Sequence, residues 1–108
     1  MLNGSFSERR EAWASALESG EYKQAQGSLR TEEGFCCLGV ACDLFQPEGW
    51  HADQERRYMY NKHNYAMPPQ AVRDFFKISQ EEADYLASRN DDRESFREIA
   101  RRIRDAKY

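Results

Sequence analysis

Apolar residues recur at helical spacing in four segments of the chain and run together in a fifth. The run is Gly34-Phe35-Cys36-Cys37-Leu38-Gly39-Val40-Ala41-Cys42-Asp43-Leu44-Phe45, nearly uncharged in a chain that is 32% charged. At 100° per residue, Cys37, Leu38, Val40, Ala41, Cys42, Leu44 and Phe45 cover most of a helix circumference. Gly39 and Asp43, four apart, share the face that remains. A helix apolar nearly all round is a buried one. The pattern predicts a short central helix, entered from a short strand at Phe35-Cys36 and ended by Gln46-Pro47-Glu48-Gly49.

The other segments carry their own start and stop signals. Ser5-Phe6-Ser7-Glu8 is a capping box, and the helix it opens is expected to run to about Ser19, with Gly20 as terminator. Phe6, Trp13, Ala16 and Leu17 form its buried face, with Arg9 and Arg10 as a border that lays its stems along it. Tyr22 to Leu29 reads as a strand with Gly27 as a bulge. Thr31-Glu32-Glu33-Gly34 is the turn that pairs this strand with Phe35-Cys36 as a hairpin. Arg57-Tyr58-Met59-Tyr60 is a candidate third strand, with Asn61-Lys62-His63-Asn64 as its turn. Pro68-Pro69 opens a helix that buries Val72, Phe75 and Phe76. Ser79-Gln80-Glu81-Glu82 caps the next, with Ala83, Leu86 and Ala87 inward and Asn90-Asp91 as its stop. Ser95-Phe96-Arg97-Glu98 caps the last, which buries Phe96, Ile99, Ala100 and Ile103.

These elements predict an α+β fold that is mostly helical. Four to five short helices pack on a small antiparallel β-hairpin or three-stranded sheet. The length, 108 residues, suits a single compact domain over 1–108 with a modest core. Hydrophobic residues are 40% and aromatics 13% of the chain, a globular composition. No run approaches the ~18 apolar residues of a membrane span. Met1 to Ser5 lacks a basic patch followed by an apolar core, so no signal peptide is expected and the compartment should be a reducing cytoplasm.

Net charge is −3, unevenly spread: residues 93–108 carry +3 and residues 1–92 carry −6. An acidic body argues against direct nucleic-acid binding but leaves a local anion contact open at the basic last helix. There Arg97, Arg101 and Arg104 line one flank, a candidate phosphate contact, interleaved with Glu94 and Glu98.

The three cysteines have neither disulfide nor paired metal-ligand spacing. Cys36, Cys37 and Cys42 are therefore expected to be buried free thiols, with no metal site and no cofactor. The catalytic alternative places Cys37 at a helix N-terminus, whose positive end would lower the thiol pKa, with His51 or His63 as base. Asp43, a carboxylate on a buried helix, needs a partner: it is expected to hold an arginine or the backbone donors of a loop, with ligand contact as the alternative that makes it a candidate binding residue. Trp50, Tyr58 and Tyr60, in the irregular segment, are candidate anchors of a binding surface or stacking faces for bases.

Several of these pieces occur together in one known pattern. Trp13-x-x-x-Leu17 is followed by Ser19-Gly20-Glu21-Tyr22-Lys23-Gln24, then Gly27-x-Leu29-Arg30, then Phe35-Cys36-Cys37-Leu38-Gly39-Val40-Ala41-Cys42-Asp43. Met67-Pro68, Leu86-x-x-x-Asn90-Asp91 and Ser95-Phe96-x-x-Ile99-Ala100 complete it. The chain thereby resembles a family of small bacteriophage and prophage proteins for which no reaction is established. The match spans about residues 12 to 104, and its most specific part is C-C-L-G-V-x-C-D. Met67 stands where leucine is usual, Asp92-Arg93-Glu94 replaces a glycine-containing turn, and residues 46–66 match nothing in the pattern. The resemblance implies a viral accessory protein in the host bacterial cytoplasm. Such proteins often act by stoichiometric binding, so the expected partner is a host defence protein or complex, a CRISPR effector being one example. One alternative is a sponge for a nucleotide second messenger, with the arginine flank and the aromatics as its pocket. Another is a thiol-dependent hydrolase using Cys37.

Overall fold

The computed structural model describes residues 4–61 and 64–107. The fold is α+β and mostly helical: five helices pack around one hydrophobic cluster, beside a two-stranded antiparallel hairpin. The helices are α1 (Phe6–Glu18), α2 (Cys37–Phe45), α3 (Gln70–Phe76), α4 (Gln80–Asp91) and α5 (Phe96–Asp105). A single 3₁₀ turn, Pro47–Gly49, leads into β1 (Trp50–Ala52), which pairs with β2 (Tyr58–Tyr60) in the register His51 opposite Met59. No helix among the described residues is long and apolar enough to cross a membrane.

Serines start three of the helices. The Ser5 hydroxyl accepts from the Glu8 amide at 3.2 Å, and the Glu8 carboxylate accepts from the Ser5 amide at 3.0 Å, closing a full capping box. Ser79 and Ser95 cap α4 and α5 in the same way through the amides of Glu82 and Glu98. Glu82 does not complete its box, because its carboxylate is taken by Arg10. Lys77 closes α3 in the left-handed conformation, at φ 54°.

α2 is the buried centre, as its pattern predicts, and it packs against α1, α3 and α4. Cys37, Leu38, Val40, Ala41 and Cys42 are fully enclosed, among Trp13 and Leu17 of α1, Val72 and Phe76 of α3, and Leu86 of α4. α5 lies along α1 and α4 and buries Ile99, Ala100 and Ile103.

The strand expected over Tyr22 to Leu29 is not one. It reduces to isolated bridges, Gln24 with Phe35 and Arg30 with Phe35. Gly27, at φ 92°, bends the chain there, and the Leu29 amide turns away to the Tyr65 carbonyl at 2.7 Å. A ladder cannot continue through that bend. The Thr31 to Gly34 turn is present, closed by reciprocal backbone bonds. The hairpin of this fold lies instead at 50–60, where Tyr58–Tyr60 is the expected third strand and Trp50–Ala52 is its unforeseen partner.

Arg10 is not a border residue. It is 2% exposed and belongs to the core face of α1. Phe6, expected on that face, is 40% exposed. α4 ends at Asp91, within the expected Asn90-Asp91 stop, but Asn90 is not a terminal cap. It lies inside the helix, fully buried, and the helix ends one residue later.

Candidate functional site

The 20–36 segment covers the one polar face of α2, and three side chains fasten it there. Tyr22 donates its hydroxyl to Asp43 Oδ2 at 2.5 Å. Gln24 donates to Asn90 Oδ1 at 3.0 Å and to the Glu94 carbonyl at 2.7 Å, and accepts from the Phe96 amide at 3.2 Å. Asn90 accepts from the Cys37 amide at 3.2 Å and donates to the Ala25 carbonyl at 2.8 Å. Asn90 thus satisfies the first amide of α2, one of the donors a helix start leaves open.

Asp43 has a second donor. Trp50 Nε1 gives it a hydrogen bond at 3.0 Å, so one carboxylate orients both a tyrosine and an indole. The partners are aromatic side chains rather than the arginine or loop amides expected. Burial and the hydrogen bond to Asp43 push the Tyr22 phenol above its ordinary pKa, so it remains a donor.

Around this anchor the aromatics form a chain of edge-to-face contacts. Ring centroids are 5.1 Å apart for Tyr22 and Phe35, 5.8 Å for Phe35 and Trp50, and 5.0 Å for Trp50 and Tyr60. Such geometry suits the ring quadrupoles. Tyr60 is wholly buried and donates to the Gln46 carbonyl at 2.9 Å, so it is a foundation of the surface and offers no stacking face. Trp50 and Tyr58 are half-buried.

One cation stands over this platform. The Arg30 guanidinium carbon lies 4.3 Å from the Tyr58 ring centroid, 4.8 Å from Phe35 and 5.4 Å from Trp50. Each such contact contributes about 0.5–1 kcal/mol where solvent reaches it. The structure therefore brings together Asp43, Trp50, Tyr58 and Tyr60 of the candidate residues. It adds Arg30, Phe35 and Tyr22, whose role no local pattern announces.

The arginine flank lies elsewhere. Arg104 is committed to α1: it donates to Glu18 at 2.7 Å and to Glu11 at 2.8–3.2 Å. Those hydrogen bonds hold the Glu11 carboxyl down at about 2. Arg101 is 3.9 Å from Glu98, and Arg97 is exposed. No hydrogen bond, ion pair or ring contact among the described residues joins this flank to the platform. An open groove of about 950 Å³ at the α3–α4 turn, bordered by Phe6, Lys77 and Tyr85, mixes both signs of charge.

The cysteines are all buried and unpaired with one another. Burial raises the Cys37 thiol well above its ordinary pKa, which overturns the expectation that the helix N-terminus lowers it. Cys37 Sγ points at the Leu86 carbonyl, 3.7 Å away, as a weak donor. Cys36 caps α2 through its sulfur, which accepts from the Gly39 amide at 3.4 Å. His51 is exposed on β1 and makes no contact with either thiol, and His63 lies outside the described residues. Among the described residues no three His, Cys, Asp or Glu side chains converge to hold a metal.

A structural thiol has measurable consequences. Cys37→Ala is expected to lose roughly 1–3 kcal/mol in urea unfolding through a small cavity. Cys37→Ser should also destabilise, because a buried hydroxyl needs a full hydrogen bond at a site built for sulfur. Native protein should react slowly with a thiol reagent. Fast labelling in the folded state would contradict the burial and restore the hydrolase reading.

The fold and this surface define a small α+β protein with a fixed aromatic platform under one arginine. The chain belongs to the family described as Domain of unknown function (DUF8296), which matches residues 6–107. No curated protein and no solved structure matches it.

Proposed function

We propose that this chain is a phage-encoded accessory protein that counters host defence by stoichiometric binding, as an inhibitor of an effector complex such as a CRISPR nuclease. The observation that carries the binding reading is the platform: half-buried Trp50, Tyr58 and Phe35 held under Arg30, with Asp43 fixing the indole. Aromatic residues and arginine on a rigid base are the side chains that dominate binding energy at protein interfaces. The phage origin rests on the sequence resemblance.

The two other readings have less support. A nucleotide sponge needs cations converging on a free stacking face. Arg104 is bound to Glu11 and Glu18, Tyr60 is enclosed, and Arg30 is the one cation over Trp50 and Tyr58 among the described residues, so no set of cations converges there. A thiol hydrolase needs an accessible thiolate, and Cys37 is sealed in the core as a thiol. The acting compartment under this proposal is the host cytoplasm.

The test is a defence-rescue assay. Phage are plated on defended cells expressing the protein, across several CRISPR types and other defence systems. Restored plating on at least one is the expected result. No rescue on any of them would remove the anti-defence role.

A further inference from the structure

We infer that Arg30 is the recognition residue of the platform and that it captures a single carboxylate side chain set among apolar residues on the partner protein. This rests on the proposed binding function and names the chemistry of the partner.

Among the described residues three half-buried arginines, Arg9, Arg30 and Arg73, have no carboxylate, and Arg30 is the one among them that lies over three rings and donates to no carbonyl. Arg10 pairs with Glu82, Arg57 with Asp53, Arg89 with Asp92, Arg102 with Glu94 and Arg104 with Glu11. The chain has a net charge of −3, with acidic side chains in excess, yet among the described residues Arg30 pairs with none of them. Among the described residues the Arg30 side chain makes ring contacts and no hydrogen bond or ion pair. None of its nitrogens is sealed from solvent without a partner. Its guanidinium is thus held in place by three rings while its donors remain available.

The base beneath it is fixed. Phe35 is bonded on both sides of its backbone, its amide to the Lys23 carbonyl and its carbonyl to the Ala25 amide, each at 2.8 Å. Trp50 is tied to Asp43, and Tyr58 sits in the β2 ladder opposite Ala52. A cation already ordered in the free protein loses little freedom on binding, which is where affinity is gained.

The class of anion follows from geometry and charge. A guanidinium presents parallel donors that match the two oxygens of a carboxylate or phosphate. Glu32 and Glu33 are exposed in the turn directly after Arg30, and among the described residues Arg30 is the cation that lies over these rings. A multiply charged phosphate meets repulsion there that a single planar carboxylate meets less. A protein side chain also arrives with apolar neighbours that can cover Tyr58 and Trp50, whereas a free anion cannot.

The test uses the full chain with an end-capped peptide carrying one glutamate between apolar residues and, separately, inorganic phosphate at matched physiological ionic strength. The readouts are the Arg30 Nε–H and Trp50 Nε1–H NMR signals. The peptide is expected to shift both saturably, and phosphate not to. Arg30→Lys keeps the charge and the ring contacts but loses the fork, and should weaken the peptide by about tenfold. Arg30→Gln should abolish saturable binding while the protein stays folded, with a lower thermal midpoint from the lost ring contacts and an otherwise native amide spectrum. A linear response shared by the exposed arginines, equal or tighter binding of phosphate, or full affinity in Arg30→Lys would each overturn the inference. Arg30→Gln is also carried through the defence-rescue assay. Rescue by wild type and Arg30→Gln alike removes this role of Arg30 and leaves the anti-defence function standing. Saturable peptide binding without rescue by wild type leaves the carboxylate site standing and removes that function.

Discussion

Replacing Arg10 by methionine is expected to cost about 3–5 kcal/mol, a large share of the roughly 5–15 kcal/mol that holds a domain of this kind together. Arg10 is 2% exposed, and its guanidinium meets Glu82 through two hydrogen bonds of 2.9 and 2.5 Å. It also donates to the carbonyls of Phe76 and Lys77, at the end of α3, and to that of Ile103 near the end of α5. Helix ends leave carbonyls without intrahelical partners, and here one side chain from α1 supplies donors for two of them. Methionine fills much of the volume but leaves Glu82 half-buried without its cation and the carbonyls without their donor. The cost therefore lies in stranded polar groups rather than in a lost attraction. Urea unfolding of Arg10→Met, Glu82→Met and the double variant would resolve this. The double variant should recover a substantial part of the loss, because it removes the stranded carboxylate together with the cation. A single-variant cost below about 1 kcal/mol would place the pair in the class of surface ion pairs and refute the clamp.

The sequence signal for that clamp was present in the spacing. Phe6, Arg10, Trp13 and Leu17 fall at i, i+4, i+7 and i+11, so Arg10 occupies a position on the apolar stripe itself. Asn90 does the same on α4, seven residues after Ala83 and four after Leu86. A polar residue at a stripe position must be buried with partners, and both are. What the spacing does not contain is the partner. Glu82 is 72 residues from Arg10, and Cys37 is 53 from Asn90. Only the packing of α1 and α2 against the other helices brings them together.

The same division separates scaffold from site. The helices were legible because serine caps, glycine and proline punctuation and a 3.6-residue period are local properties. The platform was not, because each of its pieces is locally ordinary. Trp50-His51-Ala52 alternates over only three residues, too short a run to mark a strand, and it becomes one by pairing with Tyr58–Tyr60. Arg30 falls just after the strand predicted over Tyr22 to Leu29. Its place over Tyr58 and Trp50 depends on the bend at Gly27 and on the seating of the hairpin beside α2. Residues 46–66 supply two of the three rings beneath Arg30. Tyr22, Gln24, Asp43 and Asn90 supply the polar ties that hold its mounting.

The tightest point of that mounting is Gly39, and Gly39→Ala is expected to lose at least about 3 kcal/mol, at or beyond the upper end of ordinary overpacking. Intrinsic helix propensity points the other way, favouring alanine by about 1 kcal/mol within a helix. Packing decides the sign. A Cβ on Gly39 would stand 1.8 Å from the Leu29 carbonyl oxygen, where ordinary contact begins near 3.4 Å. That oxygen cannot easily withdraw. It accepts the Cys36 amide at 3.0 Å, and the Leu29 amide is tied to the Tyr65 carbonyl at 2.7 Å. The Leu29 side chain is itself fully buried. Relief requires lifting the 22–30 segment off α2, which strains the Tyr22–Asp43 bond and carries Arg30 away from its rings. Gly20→Ala is the control: nothing lies within 4 Å of its added Cβ, and its φ of 82° alone should cost about 1–2 kcal/mol. Thermal and urea unfolding of the two variants should rank Gly39→Ala clearly below Gly20→Ala. The Trp50 Nε1–H resonance should also move in Gly39→Ala and stay in Gly20→Ala. Equal stability of the two, with the indole signal unmoved, would mean that the close approach of α2 to Leu29 is not what seats the platform.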